Sequence, residues 1–227
     1  GSRARVGDFY VYPIEGRTTI ANAQTKQVSF LDVIGAQASK GYEFRNGWMA
    51  SADEAESASS ILKFSTAKAG GLGDALPAGT VRVYMKDSRG QAQFIGESGI
   101  PHTPGGSSLA LRTGAAFDVK VKPVLESRTV ITLSEWEQYA RYKVTIANGK
   151  GDTTSETVTY ERPKTYYKTV MRYIVTNAKP TPVKVDVLQG GLNSWWWWRD
   201  LRISDESIKG EQISFDERLW EVPVAAN

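Results

Sequence analysis

Apolar and polar residues alternate with a period of two along most of the chain, and almost nowhere with the 3.6-residue period of a helix. In Tyr142-Lys143-Val144-Thr145-Ile146 the polar residues fall between Tyr142, Val144 and Ile146, which share an inward face. Val183-Lys184-Val185-Asp186-Val187 and Val119-Lys120-Val121-Lys122 repeat the pattern. Further strands are predicted at Phe9–Tyr12, Val28–Val33, Ile61–Thr66, Val81–Lys86, Ala92–Gly96, Leu109–Thr113 and Arg128–Leu133. Others follow at Thr154–Glu161, Thr169–Thr176, Trp195–Ile203, Gln212–Phe215 and Trp220–Val224. About fifteen short strands separated by turn residues indicate an all-β protein, built as a sandwich or barrel.

Two stretches break the rhythm. Ser51–Ser60 has the spacing of a capping box, Ser51 with Glu54, which would suit one short helix. It carries no apolar stripe, so an acidic loop is expected there. Ala69–Gly79 is Gly-rich and punctuated by Pro, a long loop between strands. After Phe117 the strand spacing tightens, and Pro123 interrupts a run as it does in an edge strand. These signals place a boundary at Phe117–Asp118. The expected architecture is two sandwich-like modules, Gly7–Phe117 and Asp118–Asn227, the second immunoglobulin-like; one continuous sandwich with a long insertion is the alternative. Asn148 and Asn177 each follow a strand in similar local sequence, and both read as turns that exploit the tolerance of Asn for left-handed backbone.

Composition removes whole classes of chemistry. The 227 residues suffice for a core without staples. With no Cys and one His, disulfides, thiol nucleophiles and multi-His metal sites are excluded, and neither a metal nor a cofactor is expected. The 28 basic and 25 acidic residues give +3, spread too evenly for the basic stripe of a nucleic-acid binder. The longest run of bulky apolar residues, Trp195–Trp198, is far short of the roughly 18 residues of a membrane span. Gly1-Ser2 has the look of a cloning remnant.

The stretches Leu76–Tyr84 (LPAGTVRVY), Phe94–Glu97 and Ile100–Gly105 resemble the bacterial domain of unknown function 4139 family, which includes the C-terminal part of mucoidy inhibitor A proteins. Tyr173–Val187 and Trp196–Asp200 (WWWRD) carry the same resemblance. It implies an exported or envelope-associated all-β protein, periplasmic or on the cell envelope, with no assigned activity and no catalytic residues to carry over. Members usually begin well before Gly7 and continue past Asn227, so the chain is expected to be a piece of a longer protein. That leaves the completeness of its last sheet open, because a missing strand exposes an unpaired edge.

The residues that stand out chemically lie in Trp195–Ile203. On a strand, Trp195, Trp197, Leu201 and Ile203 form the apolar set, while Trp196, Trp198, Asp200 and Arg202 point the other way. Trp196, Trp198 and Arg202 are therefore the candidate contact residues, either an internal cation–π ladder or a platform for a sugar ring or protein partner. His102 sits between two prolines with no nucleophile elbow, and reads as a loop residue whose imidazole satisfies a backbone group. Asp205, Glu206, Glu211, Asp216 and Glu217 cluster near the aromatic strand; a glycosidase would need two of them facing each other across a cleft. Gly70–Gly73 and Gly105-Gly106 read as turns, and Tyr160, Tyr166 and Tyr167 as cross-strand packing. The expectation is a non-enzymatic interaction or scaffold module with a protein or glycan partner. A carbohydrate-binding module using the Trp platform and a glycoside hydrolase are the alternatives.

Overall fold

The computed structural model describes residues 4–6, 9–14, 16–131, 139–147, 153–161, 166–192 and 202–227, and of 4–6, 9–10, 139–147, 153–161 and 166 the backbone alone. The fold is all-β. Its strands are β1 (Ala4–Val6), β2 (Phe9–Val11), β3 (Ala38–Asn46), β4 (Glu56–Ser65), β5 (Gly79–Lys86), β6 (Ala92–Ile100) and β7 (Ser108–Ile131). They continue with β8 (Tyr139–Ala147), β9 (Thr153–Glu161), β10 (Tyr166–Asn177), β11 (Val183–Gln189), β12 (Glu211–Gln212) and β13 (Arg218–Val224). Among the described residues the one helical element is a 3-10 turn at Lys68–Gly70.

Seven strands form the main sheet in the order β10-β7-β4-β3-β11-β13-β12. All its neighbours are antiparallel except β3 and β11, whose register pairs Tyr42 with Val185 and Phe44 with Val187. Period-two alternation then puts Tyr42, Phe44, Val119, Val121, Val185 and Val187 on one face, where they are buried with Ala58 and Ala116. The sheet covers that face with itself. Tyr173 on β10 meets Trp220 on β13 with ring centroids 6.0 Å apart, although these strands lie towards opposite ends of the sheet. The Asn177 amide donates to the carbonyl of Ala225 at 2.9 Å, and the backbone N–H of Asn227 donates to Lys179 at 3.0 Å. Opposite ends of a rolled sheet thus pack over one core as the layers of a sandwich do.

The boundary expected at Phe117–Asp118 falls inside β7, which runs unbroken for 24 residues. Its first part pairs with β4 and its second with β10, so strands from both expected modules share one sheet. Pro123 marks an edge locally rather than a domain junction. The β4 ladder ends at Val121, and beyond it one side of β7 has no ladder bond to lose. The parallel β3–β11 pair also departs from the antiparallel pairing of an immunoglobulin-like sheet.

Other differences have local causes. β3 carries only Tyr42 and Phe44 as bulky residues, and its strand character comes from its neighbours β4 and β11. Glu56–Ser60, expected in a loop, begins β4, because small Ala58 fits opposite Ala116 in a bulged ladder. Val28–Val33 is not a strand; it has no ladder partner, and Phe30 packs edge-on against Tyr12 at 5.1 Å. Asn177 closes its turn through hydrogen bonds from its amide to Thr181 and Ala225 and to its side-chain oxygen from Lys179 N–H, without left-handed backbone. Gly71 and Gly106 do make left-handed turns, at φ +86° and +90°. The strands predicted at Tyr142–Ile146 and Thr154–Glu161 pair as the β8–β9 ladder, Tyr139 opposite Glu161 through Ala147 opposite Thr153, while the turn expected at Asn148 lies outside the described residues.

Candidate functional site

Trp195, Trp196, Trp197 and Trp198 lie outside the described residues, while the chain on either side of them is described. Leu192 is buried, and its N–H donates to the carbonyl of Asp216 at 3.3 Å. The N–H of Gly191 donates to the Asp216 carboxylate at 3.1 Å. On the far side, Arg202 is exposed and Ile203 is 37% exposed, in irregular backbone rather than the predicted strand. Ile203 therefore does not belong to the core set in which the alternation placed it.

A few residues later Glu206 closes a latch on β13. Arg218 donates to both of its carboxylate oxygens, Nη2 to Oε2 at 2.7 Å, and the Trp220 indole N–H donates to Oε1 at 2.8 Å. Arg218 also donates to the carbonyl of Gly210 at 3.1 Å. A Cβ at Gly210 would sit 2.6 Å from the Trp220 indole nitrogen, so only glycine permits this approach. The Arg218 hydrogen bonds, helped by Trp220, hold the Glu206 carboxyl down to about 2. A general acid for glycoside hydrolysis needs the opposite shift, so Glu206 is a poor candidate for that part.

The neighbouring carboxylates are similarly engaged. Glu217 pairs with Arg45 on β3, and Asp216 receives the 191–192 turn. Three consecutive residues, Asp216, Glu217 and Arg218, thus tie three separate segments together. Among the described residues no three His, Asp or Glu side chains converge as a metal site would require, and no helix is long and apolar enough to cross a membrane. His102 accepts the Ala78 N–H on Nδ1 at 3.3 Å, the backbone role its loop suggested. Tyr167 is exposed opposite Val130; Tyr160 and Tyr166 have side chains outside the description.

Two features went unread in the sequence. The β5–β6 ribbon carries Tyr84 opposite Phe94, rings 5.6 Å apart and edge to face, each more than half exposed. They pack on each other instead of on the core, and Met85 beside them is exposed too. The ribbon is seated on β7 where Gly96 meets Thr113; a Cβ there would lie 2.1 Å from the Thr113 carbonyl oxygen.

The second feature lies on the outer face of the main sheet. The β3–β4 ladder stops at Glu43 opposite Ser59, yet β3 continues to Asn46 and β4 starts at Glu56. The strands part there and leave a wedge of ≈ 190 Å³ lined by Glu43, Arg45, Glu56, Ser57, Ser59 and Arg112, with Phe44 at its edge. Arg112 donates to Glu43, Nε to Oε1 at 3.1 Å. Farther along the same face Lys63 pairs with Asp186, a carboxylate that β11 buries. With Tyr42 and Phe44 inside, the two-residue period of β3 puts Glu43 and Arg45 outside, a face that the sequence reading did not single out. The chain matches no family model and no curated protein in sequence, and no solved structure in fold.

Proposed function

We propose that the chain is a non-enzymatic interaction or scaffold module of exported or cell-envelope proteins, in line with its resemblance to the domain of unknown function 4139 family. The observation that carries this reading is the Tyr84–Phe94 pair, two large rings held on a projecting ribbon and left to solvent. Aromatic side chains each remove on the order of 200 Å² from water when covered, and such anchors dominate partner binding. A protein partner at the ribbon is the reading that the two exposed rings favour.

A photo-crosslinking amino acid at position 94 of the full-length protein, expressed in a bacterial host and followed by cell fractionation, tests this. A discrete adduct in the envelope fraction that disappears with Tyr84→Ser supports the proposal. Equal, diffuse labelling from position 94 and from exposed Arg89 would reject it.

A further inference from the structure

We infer that the wedge between β3 and β4 is a binding site for a neutral, hydroxyl-rich ligand, in the simplest case one sugar residue of a glycan. This goes beyond the protein-partner reading and rests on a different part of the molecule. Strands that are neighbours in a sheet normally keep pairing, since an unpaired backbone N–H or C=O needs another partner. Here β3 and β4 separate while both remain strands, so the facing edges of Phe44–Asn46 and Glu56–Ala58 have no ladder between them. The β4–β7 register slips twice beside the opening, at Ser57/Ala58 and Ser60/Ile61. Bulges of this kind re-aim side chains next to sites.

The lining selects the ligand's chemistry. Glu43 and Glu56 balance Arg45 and Arg112, so an ionic ligand meets a like charge along with an opposite one. A polyol gains from both signs, because its hydroxyls accept from guanidinium and donate to carboxylate. Ser57 and Ser59, both half-buried, add hydroxyls with no protein partner among the described residues. Arg112 is fixed on Glu43 and Arg45 on Glu217, which leaves little side-chain freedom to lose on binding. The volume, ≈ 190 Å³, equals about six waters of liquid, the scale of a single sugar ring rather than a peptide strand. The Phe44 ring belongs to the core and offers no stacking face, so affinity is expected in the millimolar range.

The intact protein, titrated with maltotriose, cellotriose and tri-N-acetylchitotriose under saturation-transfer NMR, tests the site. At least one trisaccharide should bind, and Ser57→Ala/Ser59→Ala should weaken it by at least tenfold without moving Tm. Glu56→Gln, at an exposed position, should weaken it severalfold and leaves folding intact. Binding of none of the three, or binding indifferent to these variants, overturns the inference. So does binding abolished by Trp196→Ala/Trp198→Ala instead, which would move the site to the tryptophan run.

Discussion

Replacing Glu206 by Gln keeps the size and one acceptor of the latch and removes its charge. In the native protein the carboxyl lies at about 2, against an ordinary 4.5, chiefly because Arg218 donates to it twice. At about 1.4 kcal/mol per tenfold, that difference corresponds to a ceiling of roughly 3 kcal/mol. The side chains of Arg218 and Glu206 retain 16% and 15% of their exposure, and screening by water takes about half of it. Glu206→Gln should therefore cost about 1.5 kcal/mol at pH 7, or roughly 3–6 °C in Tm for a chain of this size. The sign with pH follows from a depressed folded-state value. The stabilisation is complete above the unfolded value of 4.5 and disappears as pH falls through about 2. Thermal melts of both proteins by circular dichroism, from pH 7 to pH 2, measure it. The gap in Tm should narrow between pH 5 and pH 2. Equal melting at pH 7, or a gap that stays constant with pH, would refute the argument.

Two further outcomes are expected from packing. Gly96→Ala places a methyl 2.1 Å from the Thr113 carbonyl oxygen at φ +157°, so β6 must shift off β7; a loss of roughly 2–3 kcal/mol in urea unfolding is expected, and an unchanged midpoint would show that the ribbon is not seated there. Lys63→Met strands the buried Asp186 carboxylate and should cost roughly 2–3 kcal/mol, most of it recovered in Lys63→Met/Asp186→Asn. Additive losses in that double-mutant cycle would sink the pairing.

What the sequence reveals depends on how local each feature is. The β11 and β13 strands and the two ribbons are legible because Val183–Val187, Val81–Lys86 and Tyr142–Ile146 alternate within a few residues. β3 is not, since Ala38–Asn46 has two bulky residues in nine and becomes a strand only between β4 and β11. The module boundary misleads for the same reason: a change in strand spacing at Phe117 says nothing about which strands pair, and β7 pairs with partners from both sides of it. The carboxylates near Asp205 were visible as a cluster, whereas their partners Arg45, Arg218 and Trp220 are distant along the chain or scattered. The wedge has no local signature at all. It exists because one ladder ends before its strands do, a property of register.

The rolled sheet also decides where recognition can occur. Val119, Val121 and Val185 have no exposure, and side chains from β3, β4, β7, β10, β11 and β13 pack together in the core between the ends of the rolled sheet. Among the described residues a ligand would meet the outside of the sheet, at the ribbon or at the wedge. The wedge shares an anchor with the segments on either side of residues 193–201. Glu217 fixes Arg45 in the wedge, the preceding residue holds the turn at Gly191 and Leu192, and the following one holds Glu206. Both flanks of the tryptophan run are thus fastened to the three residues that also position a wall of the wedge. Carboxylates that read as candidates for acid–base chemistry form a joint between the wedge and these flanks, and loosening that joint acts on both.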